Sequence, residues 1–326
     1  MNKTVLLFLF AIGILFSCSK KKENSSRHST GQINAVSVVI ENQLWNGVVG
    51  DSLRNKFARP VEGLPNEEPI FDINQYSTDV MEGFVTKSRT VIVIKEGIEN
   101  HFEVQKNKYA TPQNVFCITG KSVKALLQLI EKYAPEIIQK IRDQEIVAHQ
   151  ELLKDSVAIS KTIQKQFQVD LKIPKSYSFS IKNDSLVWLK KEFSSGSSSI
   201  LVTQFPISSV NLKGNVLDQV VRIQDSIGLA YIKGKESSSN MYIDTSYPLY
   251  FLKTNLDGKT AYETKGTWRL KNGFMFGPFI SYLIVDPQKS RIVFLDGFTY
   301  VPSQHRRDLM HELEVILKGV KTSEIK

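Results

Sequence analysis

Between positions 5 and 16 every residue is apolar or glycine (VLLFLFAIGILF), and from Ser19 onward the chain turns abruptly polar. A run this short behind Lys3 predicts a secretion signal over 1–17, because a bilayer-spanning helix needs about 20 apolar residues. Positions 18–32 carry no large apolar side chain and predict a disordered tether. Beyond it, runs rich in Val, Ile and Phe at 36–40, 90–95 and 114–119 predict buried strands. A short helix is expected over 52–58, followed by a loop through 59–69. After Ser122, an expected N-cap, the spacing becomes helical, with Val123, Leu126, Leu127, Ile130 and Tyr133 on one face until Pro135 breaks or kinks the helix. Ile138, Ile141, Leu152, Ile159, Ile163 and Phe167 then mark a long amphipathic helix or helical pair.

The remainder is dominated by strand patterns. A meander is expected over 176–182, 186–192 and 199–205, turning at Asn183–Asp184 and at 194–198, and a helix follows over 215–227. Four more strands are predicted at 247–254, 260–270, 279–285 and 291–300, with turns at Asp257–Gly258 and Asp286–Pro287. Ser303 is the expected cap of a last helix whose Leu309, Leu313, Ile316 and Leu317 face the core. Adjacent hairpins imply an α+β fold with largely antiparallel sheets and helices packed on one face. Two similar-sized halves, 33–150 and 151–326, are joined by the long amphipathic helical segment.

Composition narrows the setting. There are 42 basic and 33 acidic residues, a formal charge of +9, and loss of the leader with Lys3 leaves +8. In an exported protein this favours anionic head groups or wall polymers and argues against nucleic acid. Leu15, Phe16, Ser17 and Cys18 resemble the bacterial lipobox, which implies that the Cys18 thiol carries lipid and anchors the chain through several acyl chains. Ser at 19 and the lack of an acidic run after Cys18 resemble lipoproteins held on the periplasmic side of the outer membrane. Cys117 is the one other cysteine, so no internal disulfide forms, and its apolar surroundings mark it as a small buried hydrophobe.

Four features, Cys18 with its signal, 44–54 (LWNGVVGDSLR), 266–282 (GTWRLKNGFMFGPFISY) and 296–317 (DGFTYVPSQHRRDLMHELEVIL), together resemble an uncharacterised family of Bacteroidota lipoproteins, domain of unknown function number 4837. That resemblance implies a location and no chemistry. The strand-rich second half also resembles the PsbP/Mog1 type of α/β sandwich, which implies a module for protein contacts.

One constellation could be catalytic. Gly50, Asp51, Ser52 and Leu53 with Asp308 and His311 resemble the GDSL hydrolases, which implies Ser52 as nucleophile, His311 as base and Asp308 as its orienting carboxylate. Against it, the Gly-x-Asn-Asp block of that family has only Asn183–Asp184 as a counterpart, in a turn and without its Gly. Asp51 reads better as a cap of the short helix. The His311–Glu312 pair lacks the second His of a zinc helix, all five histidines read as surface residues, and no glycine-rich phosphate loop occurs, so neither metal nor cofactor is expected. Trp268, Phe274 and Phe276, with Trp45, Trp188 and Phe279 nearby in pattern, are candidates for a stacking surface or for core. The sequence thus predicts a non-catalytic, periplasm-facing outer-membrane lipoprotein that binds or scaffolds an envelope protein or cell-wall polymer. A GDSL-like serine hydrolase is the alternative.

Overall fold

Val36, Val38 and Ile40 point to one side of β1 (Ala35–Ile40) and Val39 to the other, and all four are fully buried, so β1 lies inside a sheet. A computed structural model describes residues 27–80, 83–236 and 238–322. Its first sheet has five strands in the order β2-β1-β3-β5-β4, with β2 (Asp72–Tyr76), β3 (Thr90–Glu96), β4 (His101–Lys106) and β5 (Asn114–Gly120). The pairs β1–β2, β1–β3 and β3–β5 are parallel and only β4–β5 is antiparallel. This sheet departs from the antiparallel expectation because its parallel neighbours are joined by long connections, through 41–71 between β1 and β2 and through β4 between β3 and β5, as parallel pairing requires. The α+β class holds for the chain as a whole.

One face of this sheet is covered by α2 (Val48–Phe57) and α3 (Val123–Leu152), which bury Leu53, Phe57, Leu126, Ile130 and Ile137 against Ile92, Ile94 and Phe116. The helix α3 runs unbroken for 30 residues, about 45 Å, through Pro135. Pro135 lies on its solvent side while Ala134 and Ile137 are buried, so the carbonyl that loses its partner faces water and the apolar stripe continues past the expected break. Ser122 caps this helix as expected, accepting from the Ala125 amide at 3.3 Å. The opposite face carries Val39, Val91 and Val115 and is covered by Val85, from the crossover between β2 and β3.

The second sheet has eight strands, seven of them in the order β10-β11-β12-β13-β8-β7-β6, with β9 (Met241–Ile243) beside β11. Two meanders build it, β6 (Ser178–Lys182) to β8 (Gly196–Pro206) through β7 (Leu186–Phe193), and β10 (Tyr250–Leu256) to β13 (Arg291–Tyr300) through β11 (Lys259–Leu270) and β12 (Phe276–Asp286). All pairs are antiparallel. Helices cover both faces here, not one. The helices α4 (Val157–Phe167) and α6 (Arg307–Lys318) pack on Ile280, Tyr282 and Leu295, and α5 (Val216–Tyr231) packs on Leu283, Ile292 and Phe294. The cause is legible in β12 and β13, nearly every residue of which is buried, as strands enclosed on both sides require.

Two ends differ from expectation. Ser303 does not cap α6. The Glu68 carboxylate, from the 59–69 loop, accepts from the Arg306 amide at 2.9 and 3.0 Å and from the Arg307 amide at 2.9 Å, satisfying two of the free donors at the helix start. The stretch 27–32, expected to belong to the tether, is stitched into the first half. The Thr111 amide donates to the Arg27 carbonyl (2.9 Å), Ser29 to Thr111 (3.0 Å) and Thr30 to Lys87 (2.8 Å). The signal at 1–17 and Cys18 lie outside the described residues, and no described helix is long and apolar enough to cross a membrane.

Candidate functional site

The two sheets meet where α6 leans on α3, and a small cleft, with about 60 Å³ open to water-sized groups, lies at the seam. Its walls come from the 59–71 loop (Val61, Leu64, Phe71), from β12 (Phe279) and from α6 (Met310, His311). The loop is held by the bridge between Pro60 and Pro69 and lies directly on β11. A Cβ at Gly63, whose φ is +85°, would come within 2.9 Å of Lys265 Cβ. Glycine is required there twice over, for the backbone angle and for the close approach.

One wall of the cleft is a charge cluster, to which Arg142, Lys265 and Glu314 belong, with its carboxylates buried and its cations half-buried. The Glu314 carboxylate accepts from Arg142 of α3 (3.1 and 3.2 Å), from Lys265 of β11 (3.4 Å) and from Lys318 one helical turn on (2.6 Å). Lys265 and Lys318 also face Glu263, at 3.0 and 3.5 Å, and Tyr282 donates to Glu263 at 2.8 Å. Burial alone would raise the Glu314 carboxyl, but Lys265, Arg142 and Lys318 together hold it well below the usual carboxylate range. Burial, reinforced by Glu314 and Glu263, lifts the Tyr282 phenol well above 10. The cluster therefore stays charged at neutral pH, with three cations against two carboxylates.

His311 is the polar group of the cleft wall that lacks a partner. Its Nε2 is buried with no hydrogen bond, its ring lies 5.1 Å from that of His149, and burial depresses its pKa to about 4. It is neutral at physiological pH. The surface reading fails for this residue and for His149, because both sit where α3 and α6 pack together, and burial lowers His149 as well.

The proposed triad does not assemble. Asp308 accepts from Asn34 (3.0 Å) and from Arg307 (2.8 Å), and no hydrogen bond between it and His311 is seen among the described residues. Ser52 lies on α2 and is absent from the cleft wall. The GDS pattern has a structural cause instead. A Cβ on Gly50 would stand 1.8 Å from the Trp45 carbonyl oxygen, at the elbow between α1 (Asn42–Trp45) and α2. Arg54 donates to that same carbonyl at 3.3 Å, covers the Trp45 ring at 4.5 Å and pairs with Asp51 at 2.7 Å. Asp51 thus pairs within the first turns of α2 and does not cap it, since the helix begins earlier than expected. Accordingly, Gly50→Ala should cost about 1–3 kcal/mol by overpacking, while Ser52→Ala should stay within about 0.5 kcal/mol in urea unfolding. A fluorophosphonate label that disappears in Ser52→Ala would reinstate the hydrolase.

The aromatic residues do not form one stacking surface. Trp268 is buried and donates to the Thr299 carbonyl at 3.3 Å, the guanidinium groups of Arg269 and Arg306 each stand 5.8 Å from the Phe276 ring, and Phe274 stands 99% exposed at the tip of the β11–β12 hairpin. Trp45 supports the α1–α2 elbow, and Trp188 tilts against Phe298. Cys117 is half-buried, its thiol raised first by burial, on the outer face of the first sheet. Among the described residues no group of three His, Cys, Asp or Glu side chains could hold a metal ion.

A family model described as Domain of unknown function (DUF4837) matches residues 156–319, just over half of the chain, and one described as Domain of unknown function (DUF8532) matches residues 29–154. No curated protein matches. Among solved structures, the Ran-binding protein Mog1p of Saccharomyces cerevisiae is 13% identical over 47% of this chain and 89% of its own, with a TM-score of 0.31. Human StAR-related lipid transfer protein 5 is 9% identical over 56% of this chain and 99% of its own, with a TM-score of 0.25.

Proposed function

The chain belongs to the DUF4837 family of unknown function, and from its own residues we propose that it is a lipid-anchored binding module of the cell envelope, facing the periplasm from the outer membrane. Acylation of Cys18 holds it there. Its ligand is a segment of an envelope protein or wall polymer that seats in the cleft between Leu64, Phe71, Phe279 and Met310. The observation that carries this reading is the unpartnered Nε2 of His311 on the wall of a cleft whose other polar lining groups, Arg142, Lys265 and Glu314 among them, are paired. A buried polar atom without a partner costs about 1–3 kcal/mol, which a ligand hydrogen bond would recover. Apolar side chains such as Leu64, Phe71, Phe279 and Met310 interleaved with convergent polar groups are a usual make-up of such sites.

Two measurements test the two parts separately. Cys18→Ala should move the protein from the membrane to the soluble fraction of cells and remove the lipid mass, and an unchanged fractionation would end the anchor. A photoreactive side chain in place of Leu64, at the cleft rim, should capture a defined envelope protein or wall peptide. That capture should fall at least about tenfold in His311→Phe. Capture no greater than from the exposed position Lys213 would end the cleft reading.

A further inference from the structure

The chain enters the described fold at one corner of the first sheet, and that corner has a composition of its own. The parallel strands β1, β3 and β5 begin there, and three segments lie side by side: 27–31, 83–90 and 107–113. Gln113 ties the latter two together, its side-chain amide donating to the carbonyls of Thr86 (2.8 Å) and Ser88 (2.7 Å) and its Oε1 accepting from the Tyr109 amide at 3.0 Å. The three segments contain Arg27, Lys87, Arg89 and Lys108 and no carboxylate. Arg89 is taken up by Glu145 at 2.8 Å, while Arg27, Lys87 and Lys108 are exposed. Beside them Phe84 is 65% and Tyr109 36% exposed, each a large ring kept in water by the fold.

From this juxtaposition we infer that the corner is a membrane-contacting face whose partner is an anionic phospholipid surface. The inference rests on the anchored reading above. Eight residues separate Cys18 from Arg27, and at about 3.5 Å per residue the linkage reaches no more than roughly 30 Å. The stitching of Arg27, Ser29 and Thr30 into the corner makes this the part of the fold nearest the lipidated thiol along the chain. Exposed cations near a bilayer are drawn to anionic head groups, and aromatic rings settle at the head-group level. Phe84 and Tyr109 then enter the interface while Lys87 and Lys108 hold the phosphates, so the domain rests on the membrane in one orientation.

The test uses the mature chain from position 18 with Cys18→Ser, which carries no lipid, and vesicles of phosphatidylglycerol mixed with phosphatidylcholine. Binding in co-sedimentation should exceed that to phosphatidylcholine alone by about tenfold or more. Phe84→Ser, and separately the pair Lys87→Glu with Lys108→Glu, should each weaken it about tenfold, while Lys213→Glu, outside the corner, should not. Each variant is first checked for an unchanged unfolding midpoint. Equal binding to both vesicle types overturns the inference. So does full binding by Phe84→Ser and by the double charge reversal, which would assign all attraction to Lys20, Lys21 and Lys22. Because the assay is made without lipid on the protein, it answers for the corner even if Cys18 proves unacylated, and the cell fractionation answers for Cys18 alone.

Discussion

Glu314→Gln should destabilise the protein by about 3–5 kcal/mol, read as a fall in the urea midpoint with an unchanged slope. The side chain keeps its size, so the loss is electrostatic. Arg142, Lys265 and Lys318 remain half-buried around a group that no longer carries charge, and Glu263 alone is left to balance them. Replacing Lys265 by Met in the same chain should return part of the loss, because one of the stranded cations is gone. A loss below about 1 kcal/mol would mean that the cluster is wetter than its burial indicates. The acid limb follows from the same bonds. The folded carboxyl titrates well below its unfolded value, so its stabilisation is complete above the unfolded value near 4.5 and is lost as pH falls through the folded one.

Asp296→Asn should act in the opposite sense, raising stability by about 2–4 kcal/mol at pH 8 and changing little at pH 4. Asp296 is buried in β13 and its one side-chain partner is Gln224 Nε2, at 3.1 Å, while Gln224 Oε1 has no partner. Burial lifts the carboxyl to about 7, against the lowering effect of Gln224 and of the Gly297 amide. The folded state therefore keeps a proton that the unfolded chain releases near pH 4. Its stabilising contribution is full below pH 4, falls between 4 and about 7, and is gone above. An amide nitrogen in place of the acid O–H supplies the donor that Gln224 Oε1 lacks at every pH. A stability difference between the two proteins that does not grow from pH 4 to pH 7 would show that Asp296 ionises freely in the fold.

Strands carried by Val, Ile and Phe were legible as elements, because burial on both sides leaves no other pattern. The edge strands β2 (DINQY) and β4 (HFEVQK) were not, since polar side chains there face water and nothing in the run separates them from a loop. The Glu68 cap of α6 was hidden for another reason. It joins positions 238 residues apart, and capping is recognised only when the partner is local. The candidate site was half visible. His311 stood out, but its read as a surface residue treated the charges of α6 as solvated. The contrary signal lay in the spacing, for Glu314 follows Met310 by four and precedes Lys318 by four, and Met310, Leu313 and Leu317 form the buried stripe. A carboxylate on that stripe requires cations from elsewhere in the fold. Arg142 and Lys265, 172 and 49 positions distant, could not be named from pattern.

The helix α3 ends just ahead of the seam between the two matched segments, 29–154 and 156–319. Its second half nevertheless gives Arg142 to Glu314, and Gln150 to the carbonyl of Val315 at 3.1 Å. The seam is thus not a joint in the folded molecule. A recombination event that exchanged the downstream segment would retain the old arginine without any guarantee of an acid opposite it, so the two segments are fit to be inherited only as a matched pair.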